Sequence, residues 1–501
     1  MEKSPEKIYQ KFKTKKIDEN TAKTHLFYYI ENSKILEKRL RGLKFIQKIE
    51  SGDKATYHFL ENLIICEQNN EIKLSAAQIL KDLYQHKAIE PLLWVFIHGD
   101  SLELKNSIIS YVEELRSEKA KSILINITRE NKEIYSQLGI DYFLEADNTV
   151  EQNYQDIVNR LKNIIFLSYL KNKIPNLEYK IRDGYVVEIS LSHLSKKANS
   201  WNLIKYLSLF LKTFSRLNLL KLKNNKINAL PPSINNLQDL RVLNLKHNNL
   251  KQLPSSICKL ETLEILKLNY NSLKELPEEI DGLKLLNSLI LRHNSLSNLP
   301  NNLGFIPSLK NLDCHGNYFT KFPKSIKKLK KIENLDFGLN RLIKIPKWIN
   351  KLKKLVSLGL GGNATLQNID EAIQNFPPLK ILDLHNNDIQ VLPVSLGDIQ
   401  SLERLILNNN QIRSLPNSFK QLNCLKVLNL RWNNLKALPR WIGELMSLEI
   451  LDLWGNDLSS LPSSMEALKN LKVLNLKLNK KLTKIPKFLT SLREEGLEVI
   501  L

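Results

Sequence analysis

Residues 240–260 read LRVLNLKHNNLKQLPSSICKL, and the frame set by Leu240, Leu243, Leu245, Asn248, Leu250, Leu253, Pro254, Ile257 and Leu260 recurs through the second half of the chain. Its clearest mark is an asparagine, at Asn225, Asn248, Asn271, Asn294, Asn317, Asn340, Asn363, Asn387, Asn410, Asn433, Asn456 and Asn479. Each step is 23 residues except that from Asn363 to Asn387, which is 24. Alternation at the head of each unit predicts a short strand, and the remainder predicts a looser return. A unit this short cannot bury its apolar side alone, so the units must stack and share one continuous core. The asparagine stands where the chain leaves the strand, and its amide can satisfy turn backbone groups that would otherwise be buried unpaired.

The chain has 501 residues, too many for one compact core. Apolar residues make up 43% and charged residues 25%, as in a soluble folded protein. No apolar run approaches the roughly 20 residues that span a bilayer. The lysine-studded start, Met1 to Lys16, carries no secretory signal. Cys66, Cys258, Cys314 and Cys424 are scattered without metal-ligand spacing, and Cys314 replaces a core leucine. Cys66 lies in an apolar helical pattern that should raise its pKa. These features predict a reducing, cytoplasmic setting. The net charge of +22 is uneven. Residues 1–200 hold 31 Lys and Arg against 28 Asp and Glu, whereas residues 201–501 hold 43 against 24.

Residues 1–174 read as an all-α domain. Helical spacing marks Thr21–Asn32, Ile35–Ile49, Ala55–Cys66, Leu74–Gln85, Pro91–His98, Leu102–Leu115, Ala120–Thr128 and Val150–Lys171. Short polar breaks such as Gln68-Asn69-Asn70 separate them. Over residues 18–130 the paired helices resemble HEAT-type repeats, with a plain helical bundle as the alternative. After Pro175, Tyr185–Leu191 alternates like a strand and Trp201–Phe214 is helical, so residues 175–216 are expected to form an entry cap. Residues 217–501 form the repeat domain, closed by Leu497–Leu501. Extra residues fall between Asn363 and Leu366, where Ile369-Asp370 also replaces leucine-proline, and between Asn479 and Leu482. Both lie in returns, which tolerate insertion.

The asparagine frame is similar to that of leucine-rich repeat proteins. It implies an α/β solenoid, a horseshoe of twelve repeats with a parallel sheet on its concave side. Proline after the last leucine, with isoleucine three residues on, resembles the intracellular Ras-group repeats of the Ras-associated scaffold class, erbin, Scribble and their plant relatives. By resemblance, a scaffold in signalling is expected, with a small GTPase-type partner.

Strand alternation directs the leucines inward and displays the residues between them, for example Val242, Asn244 and Lys246, with His247 at the strand's end. Twelve strands about 4.8 Å apart give a surface on the order of 50 Å long. Three zones are expected along it. The first is basic and hydrogen-bonding, from Lys221, Lys223, Lys246, His247, Lys267, Tyr270, Arg292 and His293. The middle is acidic and bare, from Asp313, His315, Asp336, Gly338, Gly359, Gly361, Asp383 and His385. The third is Arg431, Trp432, Asp452 and Trp454. Arg431 and Trp454 share a column, which permits a cation–π contact and has the composition of a binding hot spot; a tryptophan covering a neighbour's apolar edge is the alternative. Asp313 with His315, and Asp383 with His385, have metal-binding chemistry. Their strands are three apart, roughly 14 Å, so a solvated polar face is expected and no metal.

Between Lys321 and Lys354 lie twelve Lys or Arg against Glu333 and Asp336. Most, including Lys324, Lys327, Lys328, Lys330 and Lys331, fall on returns and so face the convex or lateral side, as do Trp348 and Trp441. This basic patch suits anionic membrane or nucleic acid, or serves solubility alone. The sequence has no phosphate-gripping glycine loop, nucleophile elbow, kinase motif set or paired-cysteine zinc signature, so neither catalysis nor a cofactor is expected. The reading that results is a non-catalytic intracellular scaffold. It binds an acidic protein on the concave face, with membrane or nucleic-acid binding through residues 321–354 as the alternative.

Overall fold

The computed structural model describes residues 4–49, 52–99, 101–115, 117–122, 124, 154–174, 176–194, 203–367, 369 and 376–501. The chain divides into two compact units, Met1–Val186 and Val187–Leu501. The first is built on helices α1 (Pro5–Lys13), α2 (Glu19–Asn32), α3 (Leu36–Ile49), α4 (Lys54–Cys66), α5 (Asn70–Tyr84), α6 (Ile89–His98), α7 (Leu102–Leu115) and α8 (Tyr154–Lys173). Several begin before the apolar spacing does because side chains cap them. Asp18 accepts from the Thr21 N–H and Asp53 from the Thr56 N–H, both at 2.7 Å, and Asn69 accepts from Glu71 and Ile72. Buried stripes such as Ala22, Leu26 and Ile30, or Ile72, Ala76 and Ile79, recur three or four residues apart. They pack α2 on α3, α4 on α5 and α6 on α7. Within this layer Lys23 is 4% exposed, and its ammonium is held by Asp53 and Glu19. Most of the expected Ala120–Thr128 helix, the residues Val150, Pro175, Trp201 and Asp370, and the step at Ser51 lie outside the described residues. Cys66 is exposed at the end of α4 rather than buried in the apolar setting expected of it.

The second unit carries the repeat strands of a sheet whose first strand falls before the boundary. Fifteen strands stand in strict chain order, from β1 (Glu178–Arg182) and β2 (Tyr185–Ser190) through twelve three-residue strands β3–β14 to β15 (Glu498–Ile500). Pairing from β2 to β15 is parallel and in phase with the repeat: Val242 lies beside Ile265, Leu243 beside Leu266, and Asn244 beside Lys267. The middle residue of each of β3–β14, such as Leu243, Leu266 and Leu289, is at most 1% exposed. The returns after β3–β8 and β10–β13 each enter a 3-10 turn after the proline, whose fixed φ prepares the bend. Pro254 precedes Ser255–Lys259, and Ile257 drops into the core. Phe319, Phe337 and Phe419 fill the same core at 0% exposed.

The asparagines bind neighbouring turns together. Asn271 donates to the carbonyls of Leu268 (2.9 Å) and, one repeat back, Leu245 (3.0 Å), while its oxygen accepts from Leu250 N–H at 3.0 Å. Asn294, Asn317, Asn340, Asn410, Asn433, Asn456 and Asn479 repeat this pattern. Across the 24-residue step the pattern adjusts, and Asn387 accepts from Asn363 N–H at 2.8 Å. A second ladder runs at the strand entries. Arg241 pairs with Glu264 (2.8 Å), Lys310 with Glu333 (3.0 Å), Glu403 with Lys380 and Lys426 (2.9 and 3.0 Å), and Lys472 with Glu449 (2.6 Å). Helix α9 (Leu203–Thr213) packs at the start of the array, and α10 (Phe488–Glu494) with β15 closes its end, burying Phe488, Leu489 and Leu492. No described helix is long and apolar enough to cross a membrane.

Candidate functional site

The residue before each of the twelve asparagines has a positive φ, from +46° at Leu339 to +75° at Gly362. Here the chain turns off the strand, and the left-handed backbone aims the side chain out over the sheet. Asn224, Asn386 and Asn409 suit that conformation, as do the glycines at 316, 362 and 455. His247, Tyr270, His293, Leu339, Trp432 and Leu478 do not, yet they hold it. Tyr270, Leu339, Trp432 and Leu478 are 40%, 46%, 45% and 45% exposed. Leu339 and Trp432 lie over Gly362 and Gly455 of the following repeat, where a Cβ would meet each of them at 2.6 Å.

In the first zone the rings of His247, Tyr270 and His293 stack along this column, with centroids 4.3 and 4.6 Å apart. The Lys246 ammonium sits 5.2 Å over Tyr270. Lys221, Lys223, Lys246 and Lys267 beside the stack form no ion pair with any described residue. Burial, and then the charges of Lys246, Lys223 and His193, lower the pKa of His247. Burial, then His315 and Arg292, lower that of His293.

Arg292 faces the middle zone. Its guanidinium bonds Asp313 and reaches Asp336 at 2.9 Å. His315 lies 3.5 Å from Asp336, and His385 bonds Asp383 at 2.7 Å. The acids are thus balanced by cations and by backbone: Asp313, Asp336 and Asp383 each accept from the N–H two residues on. Burial raises the Asp313 pKa despite Arg292. At Asp336 burial acts upward but is outweighed by bonds from His315 and the Gly338 N–H, which leave the pKa lowered. The bond to Asp383 raises His385. Gly338, Gly359 and Gly361 leave the floor between them bare. Among the described residues no group of three or more His, Cys, Asp or Glu could hold a metal ion.

In the third zone the Arg431 guanidinium lies over the Trp454 ring at 3.6 Å, and Lys477 approaches the ring at 5.6 Å. Trp432 tilts against Trp454 with centroids 6.3 Å apart. The Trp454 indole N–H is buried without an acceptor among the described residues. Asp452 turns back to accept from the Trp454 backbone N–H at 3.1 Å.

Family models for leucine-rich repeats match residues 238–296 and 377–435, and one for a leucine-rich repeat region matches residues 420–499. The chain is a leucine-rich repeat protein. No curated protein gives a match. Similar solved structures include a leucine-rich repeat protein of Leptospira interrogans, 34% identical over 57% of this chain and 85% of that one, with a TM-score of 0.41. An internalin of Listeria monocytogenes is 24% identical over 63% and 86% of the two chains, with a TM-score of 0.52. The plant peptide hormone receptor RGFR1, solved with RGF2, is 28% identical over 59% of this chain and 48% of its own, with a TM-score of 0.49.

On the convex side of the leucine-rich repeats, Lys324, Lys327, Lys328, Lys330 and Lys331 are all exposed. Trp441 is 8% exposed and donates to Asn417 at 3.2 Å, and Trp348 meets Phe322 edge-on at 6.2 Å. Both therefore act in packing. Leu339, Lys477 and Leu478 were not foreseen on this face. Their signal was legible as a large or charged residue in or beside the slot before the asparagine, where glycine or asparagine fits best.

Proposed function

We propose that this leucine-rich repeat protein is a non-catalytic scaffold whose concave face binds another protein. The observation that carries this reading is the display of Tyr270, Leu339, Trp432 and Leu478 from a backbone conformation that disfavours them. Strain of this kind persists where a displayed side chain has a use. Solenoid sheets provide the extended concave surface on which such arrays bind. The unpaired Lys221, Lys223, Lys246 and Lys267 support an acidic partner, which they would steer into place. Arg431, Trp432 and Trp454 supply the anchor, since arginine beside tryptophan is the usual composition of an interface hot spot. Four free, dispersed cysteines support a reducing, cytoplasmic setting. The Ras-group spacing supports a signalling role and puts small GTPases among the partners to be tried.

The test is capture from cytoplasm on the intact chain, compared with a Trp432→Ala, Trp454→Ala variant and a Lys221→Glu, Lys246→Glu variant. A protein partner should be retained by the wild type, lost from the tryptophan variant, and recovered more slowly or in smaller amount on the charge variant. Equal recovery on all three would exclude the concave site.

A further inference from the structure

A second surface lies away from the sheet. Lys321, Lys324, Lys327, Lys328, Lys330 and Lys331 are exposed on one return, and Lys344, Lys347, Lys351, Lys353 and Lys354 on the next. The six of the first return form no ion pair with any described residue. The two acids within this run are engaged elsewhere: Glu333 pairs with Lys310 at 3.0 Å, and Asp336 with Arg292 at 2.9 Å. Lysines at the strand entries, by contrast, find carboxylates on neighbouring repeats. The lysines of the first return therefore constitute a charge that the fold leaves unanswered.

Two further observations select the kind of partner. The cations are eleven lysines and one arginine, Arg341, whose guanidinium lies 5.0 Å over Tyr318. Lysine is a hydrated point charge, suited to a diffuse anionic surface rather than to paired recognition of a base or a single phosphate. Beside them Phe305 is 55% exposed, and Lys328 holds its ammonium 4.1 Å over the ring. An exposed aromatic ring among lysines suits the boundary between headgroups and acyl chains.

We propose that the two basic returns, with Phe305, dock the protein on an anionic lipid surface. Lysines near an anionic leaflet each add to binding, and the contribution falls off within a Debye length. This docking is independent of the concave partner and leaves the sheet accessible.

The test uses the intact chain with vesicles of phosphatidylcholine alone and with about a third phosphatidylserine, followed by co-sedimentation. Binding should require phosphatidylserine and weaken steeply with salt. Lys327→Glu, Lys328→Glu, Lys330→Glu should reduce it by about tenfold or more. Lys420→Glu, Lys436→Glu, Lys484→Glu makes the same change in net charge on other exposed lysines and should leave binding within about twofold. Phe305→Ala should lower the binding that survives in high salt. Unchanged melting of each variant establishes that it is folded. Equal loss in the two charge variants would reduce the effect to net charge and overturn the proposal. So would binding to single- or double-stranded nucleic acid without vesicle binding, or binding to neither.

Discussion

Leu339 holds a φ of +46° and is 46% exposed, so its side chain gains little burial for the backbone energy it costs. That energy is roughly 1–2 kcal/mol for a residue with a Cβ. Leu339→Asn, a residue that Asn386 and Asn409 show to fit the slot, should therefore raise the thermal midpoint by the equivalent of about 1 kcal/mol. The same change should weaken partner binding, and a variant that melts lower would contradict the strain argument. The histidines offer a second measurement. His385 should titrate above the ordinary 6.5, and His247 and His293 below it, when followed by NMR. Asp383→Asn should bring His385 down. The signs for stability are opposite. The raised pKa of His385 gives stability that is present below about 6.5 and lost as pH rises through its folded value. The depressed values of His247 and His293 favour the neutral rings, so their contribution is lost as pH falls from about 6.5 toward those values. At this scale the sequence displayed which residues face out, because strand alternation is rigid. It did not disclose that Arg292 belongs to Asp313 and Asp336, since a long side chain can reach across two strands.

Among elements, the asparagine ladder and the ion ladder do different work. Asn317 is 4% exposed and serves Leu291 and Cys314 carbonyls and the Leu296 N–H. Asn317→Ala leaves the buried Leu296 N–H unpaired, while the Leu291 and Cys314 carbonyls keep their bonds from Asn294 and Asn340, and should cost about 1–3 kcal/mol in denaturant unfolding. The exposed Asn249→Ala should change stability by no more than about 0.5 kcal/mol. Glu403→Gln, in the ion ladder, should have a small effect that vanishes in high salt, because Lys380 and Lys426 meet it at the surface. The strands β3–β14 were legible because each carries its own leucine and asparagine markers. The starts of α2, α4 and α5 were placed late, because Asp18, Asp53 and Asn69 extend helices by capping where apolar spacing has not begun. Strand β1 (Glu178–Arg182) and helix α10 (Phe488–Glu494) were not foreseen. Their alternation and spacing are short and polar, and their partners, not their own residues, fix their conformation.

Across the whole molecule, charge is segregated by surface. The middle of the concave face balances itself, whereas Lys221, Lys223, Lys246 and Lys267 and the convex lysines from Lys321 to Lys331 form no ion pair with any described residue. Association with an acidic protein should therefore slow by about tenfold or more as ionic strength rises, while dissociation changes little; stopped-flow measurement of both rates tests this. A variant lacking Lys221, Lys223 and Lys246 should lose most of that salt dependence, whereas a Trp454→Ala variant should keep it and dissociate faster.

Each asparagine from Asn248 onward reaches back to the turn before it, and this gives the array a direction under tension. Pulled from the C-terminal end, the molecule first loses the repeat of Asn479, and with it the acceptor for Leu458 N–H. The newly terminal turn is thereby weakened before any load reaches its core. Release should then travel backward one turn at a time. Each event frees about 23 residues and lengthens the tether by on the order of 80 Å, a regular staircase in a force-extension trace.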